Sequence, residues 1–265
     1  MSIGTEFVDS NWPRAAREFG SAIKLLGEAR QLNPRYLSAR FNLAKAWFRL
    51  EDVVAASEEV GELFKLPLNK AWAELCAITH AECLNRVAAF RECWEVCDKW
   101  LGEFPDSIGL QRVRAETIVD GFCIGKEKDG VRVVEESSLG FFSEIVRDEQ
   151  KRTVSDLRYL ARLKEWMGEV KTAVDLLDKA EQLLPNHWEV PFNLATLYWR
   201  RGELCTALYY AQKACTLGPW VPQTWRAIAL IQGASQLHKE AEESRNRAEE
   251  VTKRRKEITQ SATGR

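Results

Sequence analysis

The chain carries almost no net charge: 38 Lys and Arg face 39 Asp and Glu, a formal −1 over 265 residues. So balanced a composition exerts no global pull on nucleic acid or on an anionic membrane surface. The sequence also lacks any apolar run of the roughly 18 residues that a membrane span needs. No basic stretch followed by an apolar one opens the chain, so a secretory leader is not expected and a cytoplasmic protein is the default. Histidine is scarce: His80, His187 and His238 fall in separate segments and are not expected to converge. Among seven cysteines there is no Cys-x-x-Cys, and the odd number argues against a disulfide framework. Gly125-Lys126 lacks the preceding glycine and the following Ser/Thr of a phosphate-cradling loop, and no nucleophile elbow is present. We therefore expect no enzyme, no catalytic residue, no metal and no cofactor.

What is present is self-similarity. Residues 154–187, 188–221 and 222–255 align without a gap as blocks of 34 residues. The middle block reads Asn193-Leu194-Ala195, Tyr198, Gly202, Ala207, Tyr210, Ala214, Leu217, Pro219. The first answers with Leu160-Ala161, Gly168, Ala173, Leu177, Ala180, Leu183, Pro185, and the third with Trp225, Ile228-Ala229, Ala241, Ala248, Val251. Small residues at block positions 8, 20 and 27 let helix backbones approach closely, and larger apolar ones fill the gaps between them. Glycine at position 15 suits the turn between two helices, and proline at 32 ends the second. Gln236 replaces the glycine in the last block, which predicts a looser turn there. A period of this length is that of stacked helical hairpins, none of which buries its apolar face alone.

The pattern resembles the tetratricopeptide repeat (TPR). The resemblance implies an all-α fold, a right-handed superhelical solenoid of helix-turn-helix units. It extends upstream through 74–107 (Ala81, Cys93, Cys97, Trp100, Pro105) and 37–70 (Asn42-Leu43-Ala44, Trp47, Ala56, Leu66). In 3–36 only the second half fits, through Ala22, Ala29, Leu32 and Pro34, and Pro13 suggests a frayed first half. The expected organisation is an N-terminal array over 3–107 and an irregular repeat over 108–153 with a polar, glycine-containing insert near 121–137. A C-terminal array over 154–258 with a charged last helix follows, then a disordered tail over 259–265. The insert reads equally as a hinge or as a surface loop without a role. Lys239 to Glu257 reads as a solvated helix, with a basic docking patch at Lys253-Arg254-Arg255-Lys256 as the rival reading. Cys93 and Cys97, at i and i+4, have a spacing that could chelate zinc, but both hold packing positions and read as core. Trp47, Trp94, Trp100 and Trp225 also read as core, Trp12, Trp72, Trp188 and Trp220 as packing between units, and His80 as a hydrogen-bonded core histidine.

In the TPR family, first-helix positions 2, 5, 9, 12 and 13 line the concave groove. Here that implies a peptide-binding groove of Lys45 and Arg49 upstream, and Arg158, Arg162, Glu189, Thr196, Trp199, Arg200, Gln223 and Arg226 downstream, with Asn42 and Asn193, at position 6, alongside. The stripe also carries Phe192 and Leu230. It is basic with aromatic interleaving, and arginines fork onto carboxylates. The expected partner is a protein or peptide, with an acidic or C-terminal segment as one form. Membrane insertion and nucleic acid are not expected, and self-association is left open. Co-chaperone members of the family clamp a terminal carboxylate. Of that clamp Arg158 and Asn193 match, while Arg162, Gln223 and Ala227 depart. Two further alternatives are an RNA-processing scaffold of the half-a-TPR kind, from which the prolines Pro34, Pro105, Pro185 and Pro219 depart, and the substrate-recognition arm of a larger enzyme.

Overall fold

The computed structural model describes residues 11–122, 127–128, 131–132 and 136–264. The described chain is an all-α helical-repeat solenoid. Its helices are α1 (Trp12–Leu32), α2 (Leu37–Arg49), α3 (Val53–Leu63), α4 (Lys70–Arg86), α5 (Phe90–Glu103), α6 (Ile108–Thr117), α7 (Glu136–Ile145), α8 (Val154–Trp166), α9 (Val170–Leu183), α10 (Glu189–Arg200), α11 (Leu204–Leu217), α12 (Pro222–Ala234) and α13 (His238–Thr263). A π-helical turn, Ile118–Phe122, extends α6, and a two-residue antiparallel ladder pairs Glu127–Lys128 with Val131–Arg132. Gly125, Lys126, Asp129 and Gly130 of the polar insert lie outside the described residues.

The chain divides into two compact units. One holds residues 18–151, with hairpins α2/α3, α4/α5 and α6/α7. The other holds residues 152–264 together with the described N-terminal residues 11–17, and contains hairpins α8/α9, α10/α11 and α12/α13.

The repeat frame explains the hairpins atom by atom. Block position 15 is left-handed in five of them: Glu51 (φ 63), Ala88 (φ 59), Gly168 (φ 81), Gly202 (φ 78) and Gln236 (φ 62). In each, the next residue's N–H donates back over the turn to the carbonyl of position 11. The bonds are Asp52 to Trp47, Ala89 to Leu84, Glu169 to Lys164, Glu203 to Tyr198 and Leu237 to Gln232, at 2.9–3.1 Å. This closes the first helix and launches the second. Gln236 therefore makes the same turn as its glycine counterparts; it is strained rather than loose.

The small residues behave as spacers. Ala44, Ala56, Ala81, Cys93, Ala161, Ala173, Ala195, Ala207, Ala229 and Ala241 are all buried to within 2%. Each sits where two helix backbones approach, so a larger side chain would overpack the contact at about 1–3 kcal/mol.

Several sequence expectations change. α1 is continuous from Trp12, because Pro13 occupies the first turn, where its missing N–H costs nothing, and Asn11 caps the helix by accepting from the Arg14 N–H at 3.3 Å. Residues 259–263, read as tail, continue α13, whose inner stripe keeps Val251 and Arg255 buried and Ile258, Thr259, Ala262 and Thr263 half-buried; Arg265 lies outside the described residues. Arg255 is 6% exposed, so it belongs to no docking patch. Its guanidinium lies 3.7 Å from the centre of the Trp12 ring, and its Nη1 donates to the Trp220 carbonyl at 2.8 Å. Trp94 is 36% exposed: it stands one residue past the buried Cys93, under the Arg114 guanidinium rather than between helices.

Candidate functional site

Three first helices of the second unit, α8, α10 and α12, present one stripe each. Thr153 and Asp156 form a reciprocal capping box that starts α8, with Thr153 N to Asp156 Oδ2 at 2.7 Å and Asp156 N to Thr153 Oγ1 at 3.2 Å. Pro222 opens α12. Residues three or four apart then share a face: Arg158, Arg162 and Glu165 on α8; Glu189, Phe192, Thr196, Trp199 and Arg200 on α10; Gln223, Arg226 and Leu230 on α12.

Phe192 and Thr196 line two adjoining hollows. One, about 80 Å³, lies between α8 and α10 and has mixed walls, with Arg162, Glu165, Asn193 and Arg200 beside Ala161, Leu177 and Leu197. The other, about 250 Å³, lies between α10 and α12, where Trp199, Ala227, Leu230 and Ile231 form apolar walls beneath Gln223 and Arg226. Leu230 is 60% exposed, so it stands at the mouth of this hollow. Downstream, the predicted residues thus come together around the two hollows, except Arg158, which lines neither.

Their charges are largely spent. Arg158 Nη1 reaches Glu189 Oε2 at 2.5 Å, with both side chains largely shielded. Arg200 Nη1 contacts both Glu165 oxygens, at 3.1 and 3.0 Å. Arg162 stacks over Tyr159 and Trp166, 4.9 and 5.4 Å from their ring centres. The Asn193 amide donates to the Glu189 carbonyl at 2.6 Å, and Thr196 Oγ1 to the Phe192 carbonyl at 2.5 Å. The buried His187 accepts from the Glu189 N–H at 3.4 Å and stands 3.7 Å from its carboxylate. Arg226 is exposed and makes no ion pair among the described residues. The partner of Arg200, Glu165, was legible in the sequence at position 12 of the same stripe, as Glu189, the partner of Arg158, was at position 2.

The upstream residues belong to the other unit. Lys45 pairs with Glu82 at 3.0 Å and stands 5.6 Å over Phe48, whose ring also carries Arg86 at 5.2 Å. Asn42 is exposed and Arg49 half-buried. Neither hollow includes any of these three.

Five of the six described cysteines are packing groups. Cys76, Cys83, Cys93, Cys97 and Cys215 are buried, and Cys205 is exposed. Cys93 Sγ lies 3.1 Å from the Ala81 carbonyl and from Thr117 Oγ1. Its hydrogen bond with Cys97 pushes the Cys97 thiol far up, with burial adding to the effect. Burial alone raises Cys76 to about 11. No group of three or more His, Cys, Asp or Glu side chains among the described residues is placed to hold a metal. His80 is half-buried, and burial lowers its pKa.

These features define a class: the chain has the fold of tetratricopeptide-repeat proteins. A tetratricopeptide repeat protein from Parabacteroides merdae is similar with a TM-score of 0.63 at 16% identity, over 99% of this chain and 96% of its own. A chain of the APC/C hetero-tetramer Cut9-Hcn1 is similar with a TM-score of 0.61 at 12% identity, over 97% of this chain and 46% of its own. YrrB, described as a TPR protein with an unusual peptide-binding site, matches more loosely, with a TM-score of 0.40 at 15% identity over 66% of this chain and 84% of its own. At these identities the likeness speaks to the fold alone. No family model and no curated protein matches the sequence.

Proposed function

We propose that the chain is a non-catalytic interaction scaffold that docks a segment of a protein partner across α8, α10 and α12. The observation that carries this reading is the pair of adjoining hollows around Phe192 and Thr196, one of mixed character with charged walls and one apolar. A concave site with apolar walls and a few fixed polar groups is what an extended ligand requires. No helix among the described residues is long and apolar enough to cross a membrane. A cytoplasmic setting rests on the sequence alone.

A chaperone-tail clamp is the weaker form of this reading. It requires Arg158 and Asn193 to meet a ligand carboxylate, and both are bonded to Glu189 instead.

The test is affinity capture from the native host with the wild-type chain and with a Trp199→Ala, Leu230→Glu variant, followed by binding of the purified captured protein. Trp199 and Leu230 line the apolar hollow; Leu230 is exposed, whereas Trp199 also packs on the core between α10 and α12. The helical spectrum and the thermal midpoint of the variant are therefore measured first, and Leu230→Glu alone serves as the second variant. Loss of at least tenfold in affinity is expected; a partner bound equally by both places the docking surface elsewhere.

A further inference from the structure

The charge arrangement around the apolar hollow says what kind of segment it takes. A run of acidic residues would need several uncommitted cations along the face. Arg158 and Arg200 already face Glu189 and Glu165, and a ligand carboxylate reaching either guanidinium would have to displace a paired one. That exchange gains little, since one ion pair is broken for each one made. The glutamates would also repel a polyacidic chain lying along α8 and α10. Arg162 is packed against two rings. This leaves Arg226, one turn before Leu230 on α12, at the rim of the 250 Å³ hollow.

We propose that this groove selects a partner segment by one large apolar side chain, aromatic or branched, seated between α10 and α12, with a single neighbouring carboxylate on Arg226. The inference rests on the docking reading above and narrows it. The apolar anchor against Trp199, Leu230 and Ile231 supplies most of the affinity, as buried aromatic and aliphatic anchors do. Arg226 supplies discrimination: its exposed, planar guanidinium accepts one carboxylate in the fork geometry. Gln223, one turn earlier, offers an amide to the ligand backbone between the two. Binding of this kind depends weakly on salt, because only one ionic contact forms.

The test uses two small probes on the full chain, N-acetyl-phenylalaninate and N-acetyl-phenylalanine amide, which differ by the carboxylate alone. Titration is followed by NMR at the Leu230 and Ile231 methyls and the Trp199 indole N–H, with hexaglutamate as a competitor. Both probes are expected to shift these signals, the anion binding about threefold or more tightly, as one exposed ion pair allows. Arg226→Gln removes that advantage, Arg200→Gln retains it, and hexaglutamate does not compete. Equal affinity of the two probes, an advantage that survives Arg226→Gln, or displacement by hexaglutamate overturns this inference and leaves the docking groove standing. If neither probe moves the three signals, the groove reading itself falls, and this inference with it.

Discussion

At the scale of single residues, the same backbone site recurs with different side chains. Position 15 of the hairpin is left-handed whether the residue is Gly168 and Gly202 or Glu51, Ala88 and Gln236. A side chain in that conformation costs about 1 kcal/mol or more, which glycine avoids. Ala88→Gly and Gln236→Gly should each stabilise the protein by about 0.5–1 kcal/mol, seen as a higher denaturant midpoint at unchanged m. Gly202→Ala should lose a similar amount, and from backbone strain alone, since an added Cβ would meet nothing within 4 Å. Lower midpoints for both glycine variants would mean that the flanking contacts, not φ, set the turn. A second expectation concerns the thiols. Burial raises Cys76, Cys83 and Cys215 to about 11 from 9.0, so at pH 8 they are protonated as well as enclosed. Cys93, whose thiol is pushed down by its hydrogen bond with Cys97, is protected by enclosure alone. A thiol reagent acting on a Cys123→Ser variant at pH 8 should label Cys205 alone in the folded state, and fast labelling of any further thiol would refute the packing role. Because Cys76, Cys83 and Cys215 have raised folded pKa values, their contribution to stability is complete below pH 9 and is lost as pH rises through 11.

At the scale of elements, the sequence was legible where a period repeats and opaque where one contact breaks it. The small buried residues and the two glycines mark the hairpins of the second unit directly, because packing and turn geometry demand those types at fixed intervals. Two features escaped. A proline near the start of α1 looked like a helix breaker, yet position within a first turn, not residue type, decides its effect. The other is Glu59, whose carboxylate joins three helices: Oε1 accepts from Arg40 Nε at 2.6 Å and Oε2 from Arg30 Nη1 at 2.7 Å. Glu59 and Arg40 are buried, at 5% and 8% exposed, while the Arg30 side chain is 41% exposed. Such pairing across α1, α2 and α3 leaves no periodic trace in the sequence. Glu59→Gln strands the buried Arg40 cation and should cost about 3 kcal/mol, the scale for breaking a buried pair. Arg30→Gln, at the exposed end, should cost well under 1 kcal/mol. Equal losses in thermal unfolding would show that burial does not separate the two arginines. The groove was half legible for a related reason: the stripe gave the face, but pairing between stripes on neighbouring helices decides which charges remain for a ligand.

At the scale of the whole chain, a repeat array ordinarily needs only neighbouring contacts, and its last helix needs a solvated outer face. Here the chain's first and last described helices meet. Trp12 is 1% exposed, Ala15 and Ala16 are fully buried, and Arg255 closes over the Trp12 ring while bonding the Trp220 carbonyl. Residues from nearly opposite ends of the sequence are thereby part of one compact unit, which is why that unit takes in residues 11–17. The last turns of α13 reach past the 13-residue α12 with an inner stripe that is only half-buried, and a helix end with so little packing frays readily. Its order should then depend on the N-terminal tryptophan. Trp12→Ala removes a buried aromatic and leaves the Arg255 guanidinium desolvated without its ring, so about 3 kcal/mol or more should be lost. Arg255→Met keeps the apolar stem over Trp12 and should lose less. In Trp12→Ala, amides of residues 252–263 should exchange at the rate of a frayed terminus while those of α10 keep their protection. Unchanged protection over 252–263 would mean that α13 holds its own end, and that the meeting of the two termini contributes nothing to its order.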